Sequence, residues 1–270
     1  MDWTIVIALL ALGATVGFMA GLLGIGGGMM MVPFLTMLLP YVGVPSQWLI
    51  HAAIATSMTT IVFTSMSSVR AHQAEKAILW PIVAIMAPGV VVGGLLSGGA
   101  VFAYLSGFGL SLFFAVFIGY SGYRMLKPRP VPESRTMPGA PTTFGVGAGI
   151  GFISGLVGAG GGFLSVPFMT RSNISIHNAV ATSAALGFFI AVANSAGYIY
   201  SGFSAVEDQA GMLGYIYWPA LLIIALMSVL TAPLGARYAH SLPVATLRRI
   251  FACLLFALSA YMMVKAWQQF

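Results

Sequence analysis

Charge is what this 270-residue chain has least of: 11 Lys and Arg and five Asp and Glu make up 6% of its residues, against 59% hydrophobic ones. A water-soluble globule could not cover its surface with so few polar groups, so the composition implies an integral membrane protein. One cysteine, Cys253, excludes an intrachain disulfide and a thiolate metal cluster. The five acids, Asp2, Glu75, Glu133, Glu207 and Asp208, all fall outside the apolar stretches, which excludes a buried carboxylate relay of the usual pump type. Without a Ser-His-Asp set, metal cluster or buried acid, no enzyme activity and no cofactor are expected. The net charge of +6 comes from basic residues between or beside the apolar stretches, where they set orientation and do not bind nucleic acid.

Apolar runs are what it has in plenty. Six stretches, roughly 48–69, 78–97, 102–124, 175–200, 213–236 and 244–266, reach the roughly 20 residues that cross a bilayer as helix. The expected fold class is an all-α integral membrane protein. The opening "MDWTIVIALLALGATVGFMAG" carries an acidic Asp2 and continues into a motif that recurs later, so it reads as mature protein and not as a signal peptide.

The recurring motif is rich in glycine. "GFMAGLLGIGGGMMMVPFLTML" (17–38) and "GFISGLVGAGGGFLSVPFMTRS" (151–172) agree at 12 of 22 positions, too many for accident. Downstream, "HAAIATS" (51–57) returns as "HNAVATS" (177–183), "WP" at 80 as "WP" at 218, and "YRMLK" (123–127) as "YMMVK" (261–265). The chain therefore divides into repeats at 1–126 and 142–270. They are joined by a Pro- and charge-rich linker at 127–141.

The basic residues arbitrate how the repeats face. If each glycine segment spanned the membrane as one broken helix, Lys and Arg would divide seven against four. If it enters and returns, each half makes an odd number of crossings and ten of the 11 basic residues share one face, leaving out Lys265. That pattern predicts inverted repeats, each a glycine-tipped broken or re-entrant helix plus three transmembrane helices. The linker would be cytoplasmic and both termini extracytoplasmic. Residues 144–158 and 163–171 are too short for two full crossings at about 1.5 Å per residue, so a helical hairpin with its tip near mid-membrane is expected. Two full crossings within 4–45 would give the same parity.

Backbone that leaves a helix inside a bilayer must be buried in protein or face a wet cavity, because lipid cannot hydrogen-bond it. Glycine permits positive φ and close approach to the main chain. A new half-helix is expected near residues 29 and 163, with Pro33 and Pro167 in or near its first turn. Its free amides and positive dipole end suit an anion. The candidate binding residues are Gly24, Gly26, Gly27 and Gly28 with Gly158, Gly160, Gly161 and Gly162. Hydroxyls from Thr56, Ser57, Thr182 and Ser183, about 12 Å into their spans, would donate to the same ligand.

His51 and His177 are matched at the starts of their spans and are candidates for a gate or for proton coupling. His72 and His240 read as solvated, Asn194 as an interhelical hydrogen bond, and the five tryptophans as interfacial anchors. The pairs Gly17/Gly21, Gly89/Gly93 and Gly151/Gly155 read as helix contacts. Neither glycine tip is followed by Lys-Ser/Thr or preceded by a strand, so it is no nucleotide loop.

The duplicated "GxxGxGGGxxxxP" tips and "HxAxATS" spans resemble the TauE/SafE sulfite exporter family, also called toluene sulfonate uptake permeases, over essentially the whole chain. The resemblance implies a multi-pass protein of the bacterial cytoplasmic (inner) membrane that moves sulfite, sulfonates, sulfoacetate or related sulfur anions. The resulting expectation is a secondary transporter, read as an exporter, of a small sulfur-containing oxyanion by alternating access. An anion channel of the same architecture is the alternative. For an anion leaving a cell that is negative inside, the potential supplies about 2.3 kcal/mol per charge per 100 mV, so export could run without a coupled ion; coupling is expected to be weak, histidine-based or unnecessary. The expected partners are that small anionic sulfur-containing substrate and the lipid bilayer; a homodimer is the assembly left open.

Overall fold

The structure is a computed structural model. It describes every residue except 1, 24–26, 128–135, 204, 207–208, 239–243 and 269–270. The described residues form ten α-helices: α1 (Trp3–Leu23), α2 (Gly28–Leu38), α3 (Leu49–Ala74), α4 (Trp80–Leu95), α5 (Gly107–Leu126), α6 (Ala140–Val157), α7 (Gly162–Arg171), α8 (Ile176–Gly202), α9 (Trp218–Tyr238) and α10 (Val244–Trp267). A two-stranded antiparallel hairpin, β1 (Met212–Leu213) and β2 (Ile216–Tyr217), precedes α9. Among the described residues, seven helices are long and apolar enough to cross a membrane: α1, α3, α4 with its continuation to Tyr104, α5, α6, α8 and α9. The protein is an all-α integral membrane protein.

Local chemistry explains the helix starts. Pro81 lies in the first turn of α4, where a missing N–H costs nothing. The side chains of Ser106 and Ser175 accept from the amides of Gly109 and Asn178 and cap α5 and α8. One boundary departs from the sequence reading. α6 begins at Ala140, inside the stretch assigned to the linker, because Pro141 sits in its first turn and starts a helix there. Its 18 residues span about 27 Å, long enough to cross, whereas residues 144–158 alone are not. The second arms stay short: α2 has 11 residues and α7 has 10, about half a bilayer each. Of the linker and acidic residues discussed above, Glu133, Glu207, Asp208 and most of the linker lie outside the described residues, as does His240.

The halves exchange helices. α1 packs along α9 and, equivalently, α6 along α4; α3 pairs with α8 and α5 with α10. Glycines set the closest approaches. A Cβ on Gly89 or Gly93 would strike the carbonyl oxygens of Phe144 or Ala148 on α6. One on Gly151 would strike that of Val90, and one on Gly17 would meet Ser228 and Thr231 on α9. Such small-residue seams let helix backbones touch where no hydrophobic effect drives them together. α3 and α8 run in opposite directions: Thr59 Oγ1 lies 2.9 Å from Ser195 Oγ, while Thr64, Ser65 and Ser68 lie near Ser183, Ala184 and Gly187. α5 and α10 do likewise, with Ser259 Oγ donating to Ala115 O at 2.7 Å and Gly122 facing Ala252 and Leu255.

Candidate functional site

Both breaks are built on left-handed glycines. Gly27 (φ 63°) precedes α2 and Gly161 (φ 74°) precedes α7, while Gly158 (φ 66°) ends α6. A side chain is disfavoured in that conformation by Cβ–carbonyl contact. The amides of Met30 and Met31 bond to Gly27 O, and those of Leu164 and Ser165 to Gly161 O. The amides of Gly28, Met29, Gly162 and Phe163 are therefore the ones at the open helix starts. Pro33 and Pro167 stand in the second turn, not the first, and each withholds a donor from the carbonyl one turn back. Gly24 and Gly26 lie outside the described residues.

The two breaks touch. A Cβ on Gly28 would run into Gly158 O, and Gly27 lies against Val16. Ser57 Oγ donates to Gly158 O at 3.0 Å and approaches Gly28 O at 3.5 Å, tying α3 to both. The threonines of the Ala-Thr-Ser motifs face elsewhere. Thr56 Oγ1 accepts from the amide of Tyr217 at 2.9 Å and Thr182 Oγ1 from that of Leu79 at 3.0 Å. Each thus holds the residue that precedes α9 or α4 in the other half.

Ser183 and Gly160 do meet, in the wall of a narrow cavity of about 20 Å³ that Thr64, Ser65, Ser68 and Gly187 also line. Ser165 Oγ donates to Ser183 Oγ at 2.8 Å. Ser154, fully buried at the end of α6, has no hydrogen-bond partner for its Oγ among the described residues; that atom lies 3.0 Å from where a Cβ on Gly161 would sit. The first turn of α7 is thus flanked by an unmatched hydroxyl.

His51 is far from this cavity along α3. Its Nε2 lies 3.1 Å from Leu105 O, and because a carbonyl only accepts, that nitrogen carries the proton. The ring stacks on Tyr215 (5.1 Å between centroids) and meets Phe102 (5.0 Å) and Trp48 (5.7 Å) edge-on. Tyr198 packs behind Phe102 at 4.4 Å. Trp48 and Tyr215 also form part of the wall of an open vestibule of about 920 Å³. The cluster forms an aromatic plug behind that part of the wall, and among the described residues the buried His51 Nδ1 and Tyr215 Oη find no hydrogen-bond partner. His177 is half-buried at the start of α8.

Sequence reasoning missed the plug because its members come from four segments; Trp48 had read as an anchor. Trp3, Trp80, Trp218 and Trp267 are exposed. His72, expected to be solvated, is buried in the last turn of α3. Asn194 accepts from Ser97 Oγ at 2.8 Å, joining α8 to the π-helical turn that continues α4.

A family model described as "Sulfite exporter TauE/SafE" matches residues 9–262. The chain belongs to the TauE/SafE family. A probable membrane transporter protein of Haemophilus influenzae is 35% identical over 97% of this chain and 100% of its own length. One from Methanocaldococcus jannaschii is 26% identical over 95% and 94%. A third, YunE of Bacillus subtilis, is 30% identical over 73% and 79%. No solved structure matches. These names make this TauE/SafE member a multi-pass membrane transporter and point away from an enzyme.

Proposed function

We propose that this transporter moves a small sulfur-containing oxyanion, such as sulfite or an organosulfonate, outward across the bacterial inner membrane by alternating access between two inverted repeats. The observation that carries the reading is the pair of broken helices. Each restarts at a left-handed glycine inside the bundle, and Gly160 of one break opens onto a cavity ringed by hydroxyls. The amides at Gly27, Gly28, Gly160, Gly161 and Gly162, with Ser57 and Ser183, would bind the anion; Gly158, whose own amide is taken by Ser154 O, would turn the chain, and Thr56 and Thr182 would hold the helix starts around it. The antiparallel pairing of α3 with α8 and of α5 with α10 supports inverted repeats, since equivalent helices then point in opposite directions. With the repeats at 1–126 and 142–270, the linker would face the cytoplasm and both termini the outside. The aromatic plug around His51 supports a carrier with a closed gate over an open channel.

Proteoliposomes carrying the purified protein should show saturable, protein-dependent movement of radiolabelled sulfite or a sulfonate, accelerated by a potential that pulls the anion out. No such flux for any sulfur oxyanion would overturn the reading. Current far above the turnover of a rocking carrier would favour a channel.

A further inference from the structure

Of the four hydroxyls in the paired Ala-Thr-Ser motifs, only Ser183 reaches the cavity beside the second break. The rest of its polar side-chain wall comes from the C-terminal half of α3. Ile61, Thr64, Ser65 and Ser68 recur at the spacing of one helix face, and that face meets Gly160, Ser183, Ala184 and Gly187. Among the described residues no charged side chain lines the cavity.

The hydroxyls there are poised to donate. Ser65 Oγ turns back to Val62 O at 3.1 Å, a bond that a helical Ser exchanges readily for an outside acceptor. Thr64 Oγ1 turns back to Thr60 O at 3.1 Å and also lies 2.8 Å from Ser228 Oγ on α9, which can supply the hydrogen when Thr64 donates elsewhere. Ser68 is only 6% exposed and makes no hydrogen bond to any described residue. A hydroxyl without a protein partner is satisfied only by water or another ligand.

The duplication would place a second such site on α8, but there the matching side chains offer no free hydroxyl. At the positions matching Thr64, Ser65 and Ser68 stand Ile190, Ala191 and Asn194. Ile190 and Ala191 are fully buried, and the Asn194 amide is engaged by Ser97 Oγ and by Ile190 O at 2.9 Å.

We propose that Thr64, Ser65 and Ser68, with Ser183 and the main chain at Gly160, form one oxyanion site per chain, so that the anion path is asymmetric in a symmetric scaffold. The proposal rests on the reading of the protein as an anion transporter. Neutral donors bind an anionic acceptor more strongly than a neutral one and leave no fixed positive charge to trap it. At about 20 Å³ the cavity has room for one water, so an anion enters only as the surrounding helices separate.

The test starts from Cys253→Ser, which removes the native thiol. In that background Ser65→Cys and Ser68→Cys should react during turnover with a small alkylating reagent in excess, whose thioether product sulfite cannot cleave, and Ala191→Cys should not. Ser65→Ala and Ser68→Ala should each slow sulfite transport about tenfold, the loss of one hydrogen bond to a charged group. Ser67→Ala, whose hydroxyl bonds to Val229 O at 3.0 Å, should transport normally. Failure of both cysteines to react, or wild-type transport by both alanine variants, overturns the site. If the wild type moves no sulfite, the proposed function falls instead. Thermal stabilisation of the detergent-solubilised protein by sulfite then decides the site: a shift that Ser68→Ala abolishes supports it, and no difference between the two overturns it.

Discussion

Thr56 accepts a hydrogen bond from the amide of Tyr217, just before α9, and Thr182 accepts one from Leu79, just before α4. Both threonines are fully buried, so losing the acceptor strands an N–H away from water. Thr56→Val and Thr182→Val should each lower stability by about 1–3 kcal/mol, seen as a fall in the denaturation midpoint in detergent, whereas the serine variants should keep most of it. The motif was legible in the sequence as a repeated polar pair inside an apolar span. Its partner was not, because Tyr217 lies 161 positions from Thr56 and nothing local to either residue encodes the contact. Ser57 and Ser183 differ for the same reason: one bonds to Gly158 O and the other lines the cavity, although they occupy matched positions.

An element-scale case is the glycine corner that starts α7. Gly161 combines φ 74° with Ile190 Cδ1 at 2.6 Å and Ile150 Cγ2 at 3.0 Å from the place a Cβ would take. Gly161→Ala should cost about 1–2 kcal/mol for the left-handed backbone alone, with crowding adding to it, measurable by thermal denaturation. The corner was legible as a run of glycines followed by proline. The length of the arms was less so: α6 reaches back to Ala140 because the prolines that read as linker are tolerated in a first helical turn. The aromatic plug is the other element-scale feature. Its residues sit on the start of α3, the tail of α4, the end of α8 and the hairpin before α9, each unremarkable in its own segment.

For the whole molecule, α3 and α8 form the central antiparallel pair, and a carrier that rocks must shift them against each other. Thr59 Oγ1 and Ser195 Oγ, 2.9 Å apart, mark where to test this. In the Cys253→Ser background, Thr59→Cys with Ser195→Cys should be joined by a short bis-alkylating reagent, giving a thioether link that sulfite cannot cleave. The expected result is flux lost in the linked double variant and kept in each single variant treated alike. Unchanged flux after complete linking would mean that this contact does not move during transport.

By itself the sequence determined the solvent, the secondary structure class, the duplication and the places where helices break, because each follows from composition or from residues close together in the chain. Hydropathy, helix length and the conformational freedom of glycine are local properties. Only the tertiary structure decided that α1 lies on α9 and α6 on α4, that the two breaks meet at Gly28 and Gly158, and that Thr64, Ser65 and Ser68 share a cavity wall with Ser183. Those outcomes depend on which side chains from distant segments occupy the same space, and packing of that kind leaves no periodic signature along the chain.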